Sequence, residues 1–71
     1  MRDLFNYVKI RENLENRFSY NVFSLSKKSG IPKTTLYDFL NANKRHNIYT
    51  DMYLLLRIVN CLRIELKDLL L

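Results

Sequence analysis

Glycine, proline, cysteine and histidine each occur once in this chain of 71 residues, and tryptophan is absent. One glycine and one proline leave few sites for sharp turns, which favours helices over a β-sandwich or barrel. One cysteine excludes an internal disulfide and fits a reducing compartment. One histidine and one cysteine cannot build a metal site from these residue types, and there is no nucleophile–base pair or glycine-rich phosphate loop. We therefore expect no cofactor and no enzymatic activity.

The chain also lacks an apolar run of the ~20 residues that cross a membrane, and no signal-peptide pattern opens it. We expect a cytoplasmic protein with a single domain over residues 1–71 and no membrane partner. Hydrophobic residues make up 48% of the chain, which is enough for a core. The net charge of +5 favours an anionic partner, most often nucleic acid, although a basic surface can also serve solubility alone.

Hydrophobic periodicity predicts five helices and no strand. The first helix is predicted over residues 1–18, with Asp3 at its N-terminus. Its core face consists of apolar residues at helical spacing, with Arg11 in the gap between them: Leu4, Tyr7, Val8, Leu14 and Phe18.

The stretch from residue 21 to residue 41 predicts two short helices joined by a tight turn. Asn21 is a good N-cap for a helix over Val22–Ser29. Gly30 then stands where a helix end requires a left-handed residue. Pro32 has a φ preset for a helix start, so the next helix is predicted over residues 32–41. A helix, a tight turn and a second helix are the order used by DNA-reading helix-turn-helix proteins.

The second helix of this unit has two different faces. Leu36, Phe39 and Leu40 cluster on one side at about 100° per residue and predict its buried face. The opposite side and its edge carry Thr, Asn, Tyr, Asp and Lys, which are rigid or directional hydrogen-bonding groups. That composition is typical of a surface that reads base edges.

The rest of the chain predicts a polar loop and two further helices. Residues 41–49 form the loop, and Thr50 caps the helix that follows. That helix has one apolar face at Met52, Leu55, Leu56, Val59 and Leu62, and a second apolar stripe at Leu54, Ile58 and Cys61. The final helix covers residues 65–71. We expect His46 on the surface and Cys61 as a small apolar filler.

Two blocks of sequence resemble a known family. Residues 25–37, Leu-Ser-Lys-Lys-Ser-Gly-Ile-Pro-Lys-Thr-Thr-Leu-Tyr, are similar to the helix-turn-helix core of lambda-repressor/Cro-like (XRE) regulators. Residues 55–69 resemble the family's closing helices, where a leucine-rich helix precedes a short one. The resemblance implies an all-α, compact five-helix bundle of the lambda-repressor-like type, with its helix-turn-helix core at residues 21–41.

The chain departs from the family at four features. Ser26 stands where the family usually has alanine, and Arg63 where it has glycine. The loop after the second helix of the motif is longer and lacks glycine. Val22 replaces a glutamine that commonly contacts a phosphate, so that contact is not transferred to this chain.

The resemblance implies a sequence-specific double-stranded DNA-binding transcriptional regulator, with the helix over residues 32–41 in the major groove. Carried over by position, the base contacts are Lys33, Thr34, Tyr37 and Asp38. The candidate DNA-backbone contacts are Thr35, Asn41, Asn43, Lys44 and Arg45. Tyr37 has an alternative role as an exposed aromatic packed on a neighbour, and Lys44 and Arg45 are equally typical of a solvated loop.

A single short helix reads only a few base pairs, so we expect a homodimer, at least on DNA, bound to a palindromic operator as a repressor that occupies promoters. Leucines and an isoleucine near the C-terminus are either intramolecular core or the dimer interface: Leu54, Ile58, Leu69, Leu70 and Leu71. Two other functions stay open. One is an antitoxin-like or other protein-interaction module with autoregulatory DNA binding, and the other is a non-specific architectural DNA binder.

Overall fold

The computed structural model describes residues 5–41 and 43–71, and within these ranges the chain is helical with no strand. The helices are α1 (Tyr7–Glu12), continued by a π-helical turn (Asn13–Arg17), then α2 (Val22–Ser29), α3 (Lys33–Leu40), α4 (Ile48–Leu62) and α5 (Lys67–Leu70). The prediction of a compact five-helix, all-α chain is confirmed. No helix in the described ranges combines the length and the apolarity that crossing a membrane requires.

The first helix starts later than its apolar pattern predicts. Asn6 is its N-cap, and the Asn6 side chain accepts a hydrogen bond from the Lys9 backbone N–H at 3.1 Å. Asp3, the predicted N-terminal residue, and Leu4, predicted in the core face, lie outside the described residues.

The buried face of α1 differs from the predicted one. Tyr7, Ile10 and Leu14 are buried, whereas Val8 is exposed. The predicted and the observed buried faces both contain Tyr7 and Leu14. The observed face has Ile10 and Asn13 where the predicted face has Val8 and Arg11. Burying a cation without a partner is unfavourable, so the stripe without arginine forms the core.

Asn13 shows how the buried face of α1 accommodates a polar group. Its side chain is buried and donates a hydrogen bond from Nδ2 to the backbone oxygen of Leu69 at 2.8 Å. This bond joins the first helical segment to α5, through residues that are 56 positions apart. A buried amide with a partner stabilises the fold, whereas the same amide without one would be destabilising.

Helix α4 begins before its predicted cap. Asn47 caps it by accepting hydrogen bonds from the backbone N–H groups of Tyr49 and Thr50, at 2.9 and 3.2 Å. Thr50 was predicted as the cap and instead lies inside the first turn. Asparagine and threonine are both good N-caps, so residue type alone does not choose between them.

The face that α4 buries is also different. Leu55 and Val59 are buried as predicted, but Leu56 is exposed. Leu54 and Ile58, which lie on the predicted second stripe, are buried as well. This result corrects the dimer-interface hypothesis for three of its residues, because Leu54, Ile58 and Leu69 are fully engaged in the core and are not available to a partner.

The C-terminal end leaves little apolar surface for the same hypothesis. Leu70 is half-buried, and Leu71 alone of the five proposed interface residues is exposed.

Before α5, Arg63 ends α4 in the left-handed conformation, with φ 56° and ψ 45°. This is the conformation for which glycine is usually selected at a helix end.

A polar cluster in the core joins α1, the loop and α4. Asp51 is buried, accepts a hydrogen bond from the Tyr7 hydroxyl, and lies 3.1 Å from Nδ1 of His46. The His46 side chain is only 6% exposed and stacks on the Tyr7 ring with centroids 3.8 Å apart. The prediction that His46 is a surface residue is therefore wrong. A histidine in a polar loop is predicted to be exposed because the loop sequence does not show that the distant Tyr7 ring stacks on it.

Candidate nucleic-acid interface

Helix α2 begins and ends at the residues that the sequence indicates, whereas α3 is one residue shorter at each end than its predicted range of residues 32–41. Asn21 and Ser24 form a reciprocal cap at the start of α2, with the Ser24 N–H donating to the Asn21 side chain at 2.8 Å and the Asn21 N–H donating to the Ser24 hydroxyl at 3.0 Å. Gly30 ends α2 with φ 76°, and its N–H donates to the Ser26 carbonyl at 2.8 Å. The chain can reverse here because glycine adopts positive φ without strain.

Two serines hold the turn between α2 and α3. The Ser26 hydroxyl donates to the Ile31 carbonyl at 2.6 Å. The Ser29 hydroxyl donates to the Leu25 carbonyl and accepts from the Ile31 N–H. Ile31 itself is buried, as predicted. Ser26 therefore adds a hydrogen bond across the turn that an alanine at this position could not make.

Helix α3 is anchored by its inner face. Leu36, Phe39 and Leu40 are all buried, which confirms the predicted anchor. The helix covers Lys33–Leu40, with Pro32 and Asn41 as its caps. These three buried side chains therefore fix the orientation of the outer face of α3.

The four residues predicted to contact bases share that outer face. Lys33, Thr34, Tyr37 and Asp38 are all exposed. They cover two successive turns of α3, so one helix presents an ammonium, two hydroxyls and a carboxylate to the same side.

An exposed aromatic residue beside this face is absent from the sequence-based prediction. Phe23, in the first turn of α2, is 59% exposed, and Nζ of Lys33 lies 4.8 Å from the centre of its ring. A cation over an aromatic face is attracted to it, so Phe23 holds Lys33 near the start of α3. The signal for it was present, because Phe23 lies off the face of α2 that contains Leu25.

The residues predicted to contact the DNA backbone flank the same helix. Thr35 is half-buried, on the side of α3 that faces the loop, and the other four are exposed: Asn41, Asn43, Lys44 and Arg45. Nζ of Lys44 lies 3.5 Å from the Asp38 carboxylate. The structure thus pairs a predicted backbone contact with a predicted base contact.

The loop that carries Lys44 and Arg45 is anchored to the core. The Asn41 carbonyl accepts hydrogen bonds from the Lys44 N–H at 3.1 Å and from Nε2 of His46 at 2.9 Å. His46 also contacts Asp51 and Tyr7, so the loop is fixed to α1 and α4 through one side chain. Its cations are therefore displayed from a defined position beside the C-terminal end of α3.

Positive charge is concentrated around these elements. Residues 21–47 contain five Lys or Arg residues and one acid, which gives +4 of the total +5. The single acid is Asp38, which Lys44 pairs with. Residues 48–71 contain three cations and three acids, so their net charge is zero. The basic character thus belongs to the α2–α3 side of the chain.

The described residues contain no group of three or more His, Cys, Asp and Glu residues placed to hold a metal ion. Comparisons with protein-family models, with curated proteins and with solved structures gave no match. The family resemblance therefore depends on the residues of the two blocks described above.

Proposed function

We propose that this protein is a sequence-specific double-stranded DNA-binding transcriptional regulator with α3 in the major groove. The observation that carries the proposal is the outer face of α3. Lys33, Thr34, Tyr37 and Asp38 are exposed together on a helix whose other side is buried, within the part of the chain that holds +4 of the net charge. The resemblance to lambda-repressor/Cro-like regulators supports the same assignment.

The exposed groups match the chemistry of the major groove. Each base pair there presents a distinct pattern of donors and acceptors, and an α-helix fits its width. Lys33 donates to guanine O6 and N7, while Thr34 hydrogen-bonds a base or packs its methyl group on thymine. Phe23 restricts the Lys33 ammonium before binding, which lowers the entropy lost when the contact forms.

Asp38 has a different role in this proposal because Lys44 lies beside it. A carboxylate near phosphates is repelled, and the 3.5 Å contact with Lys44 offsets that repulsion. Asp38 accepts from cytosine N4 while Lys44 keeps the pair neutral. The two residues then act together at the C-terminal end of α3.

The remaining cations position the chain on the backbone. Lys44 and Arg45 contact phosphates from a loop that His46 anchors, and these contacts are independent of sequence. Their contribution falls as salt is added, because binding releases counterions from the DNA. Base contacts from α3 supply the choice of site.

Selection of bound duplexes from a random DNA pool tests the proposal. Enrichment of a defined motif supports it, and two half-sites about one helical turn apart indicate a dimer with a repressor-like arrangement. Equal recovery of all sequences would favour the architectural DNA binder instead. The same selection with Thr34→Ala serves as a matched comparison, because the enriched motif should relax at one base pair only.

A second candidate is a protein-interaction module of the antitoxin kind, with DNA binding as autoregulation. The exposed apolar residues of α4 favour it. They belong to residues 48–71, which have no net charge, whereas the basic residues are concentrated in residues 21–47. Co-purification of a stoichiometric second protein from the native host supports this candidate. Recovery of the chain by itself, with an enriched DNA motif, supports the first.

A further inference from the structure

Helix α4 has an outward face that nothing in the described chain covers. Tyr49, Tyr53 and Leu56 are 82%, 59% and 48% exposed, and their spacing of four and three residues places them on one side of the helix. Asn60 continues the same stripe and is also exposed. We call these four residues the α4 stripe. Scattered exposed apolar residues are ordinary, but an aligned set on one helix face marks an interaction surface.

The chemistry of the α4 stripe suits a protein partner better than DNA. Asp51 is the only acid in α4 and it is buried, and the only cation is Arg57 at the edge of the stripe. The Arg57 guanidinium donates to the Tyr53 hydroxyl at 3.2 Å. Tyrosine and arginine are enriched where proteins meet, because both combine large contact area with hydrogen bonding.

We propose that the α4 stripe is the contact surface for a second copy of this chain, in a two-fold symmetric α4–α4 dimer. Charge favours this occupant. The chain from residue 48 to residue 71 has no net charge, so two copies meet there without repulsion, whereas contact through residues 21–47 would bring two +4 regions together. A two-fold contact uses the same patch on both copies, and an uncharged apolar stripe is complementary to itself.

The size of the stripe sets the strength of the dimer. With a side-chain surface of roughly 150–250 Å² for each large residue, the exposed parts of Tyr49, Tyr53, Leu56 and the adjoining Ile48 amount to about 400 Å² per copy. Two copies then bury on the order of 800–1,000 Å² with the rim, at the lower limit for a specific interface. The dimer is accordingly weak and reversible in free solution, and DNA with two half-sites strengthens it by holding both copies.

This proposal deepens the proposed function by locating its dimer, and its predictions are independent of DNA. Sedimentation equilibrium of the full chain without DNA should give a mass that rises from one chain towards two as concentration increases. Tyr53→Glu should raise the dimer dissociation constant more than tenfold, since it removes aromatic contact area and buries a carboxylate whose desolvation cost exceeds what pairing with the neighbouring Arg57 can offset. Circular dichroism establishes that each variant keeps its helices.

Phe23→Glu is the matched control for self-association. Phe23 has the same 59% exposure as Tyr53 but lies on α2. The substitution should leave the dimer dissociation constant unchanged. A wild-type mass of one chain at every concentration would overturn the proposal, and so would an equal effect of Tyr53→Glu and Phe23→Glu.

Cross-linking gives a second readout that does not depend on weakening the dimer. Leu56 is in the middle of the α4 stripe, so Leu56→Cys in a Cys61→Ser background should form an intermolecular disulfide on mild oxidation. Phe23→Cys in the same background should stay monomeric. Equal cross-linking at both positions would contradict the α4–α4 contact. A dimer that forms while no DNA motif is enriched would reject the proposed function and leave this interface standing.

Discussion

Replacing His46 with alanine is expected to destabilise the fold strongly, although the residue belongs to a polar loop. The substitution removes the contact between Nδ1 and the buried Asp51 carboxylate, the hydrogen bond from Nε2 to the Asn41 carbonyl, and the stack on Tyr7. A hydrogen bond to a charged group contributes about 1.5–3 kcal/mol and a neutral one about 1 kcal/mol. An aromatic pair adds about 0.5–1.5 kcal/mol.

These contributions share one side chain and are not additive, so we expect a loss of about 3 kcal/mol in the free energy of unfolding. A domain of this size has only about 4–11 kcal/mol in total, and its melting temperature should fall by roughly 12–24 °C. Urea denaturation followed by circular dichroism measures the loss. Lys27→Ala, on an exposed position of α2, should change stability by less than about 0.5 kcal/mol.

Two conservative variants separate the bonds that His46 makes. The amide nitrogen of His46→Asn occupies the region of Nδ1 and offers a donor to Asp51, while that of His46→Gln occupies the region of Nε2 and offers a donor to Asn41. Because a buried carboxylate that loses a neighbouring polar group is costly, His46→Gln should be less stable than His46→Asn. A loss for His46→Ala no larger than that for Lys27→Ala would refute the buried placement of His46.

Two further predictions concern the turns and the loop. Substitutions at the two left-handed helix ends, Gly30 and Arg63, should change the free energy of unfolding in opposite directions. Gly30→Ala should destabilise by about 1 kcal/mol or more, because φ is 76° and the new Cβ would lie 3.3 Å from the Arg57 guanidinium, whereas Arg63→Gly should stabilise by up to about 1 kcal/mol in the same denaturation assay. Arg45→Ala should weaken binding to all duplexes about equally and lower the salt dependence of log K by about one, as measured by fluorescence anisotropy; a change confined to one sequence would contradict a phosphate contact.

The helix-turn-helix unit was predictable because its determinants are local. Asn21 and Gly30 act within a few residues of the ends they define, and Leu36, Phe39 and Leu40 have a single helical arrangement that buries all three. Once those three residues are buried, helical geometry alone places four residues on the outside of α3: Lys33, Thr34, Tyr37 and Asp38.

Helix α4 was less predictable because apolar residues surround most of it. Leu54, Leu55 and Leu56 are consecutive, so periodicity alone cannot say which of them faces solvent. The choice depends on packing against α2, and there Leu56 is left outside. For the same reason, the sequence predicted a dimer interface at Leu54 and Ile58, which are buried, whereas the interface proposed from the structure is the α4 stripe.

The polar core cluster could not be predicted from local sequence at all. Tyr7 and Asp51 are 44 residues apart, and His46 reaches them from a loop whose composition is that of a solvated segment. Such a network forms only when the tertiary fold brings each donor to its acceptor, which no local pattern records.

The ratio between the affinity for a selected duplex and the affinity for a random duplex tests the central claim most directly. It should be measured at one fixed salt concentration for the wild-type chain, for Lys33→Ala with Thr34→Ala, and for Arg45→Ala. If α3 reads bases, the double variant loses about 1–3 kcal/mol of discrimination per good contact, while Arg45→Ala lowers both affinities and keeps the ratio. An unchanged ratio in the double variant would mean that another surface of the protein reads the DNA.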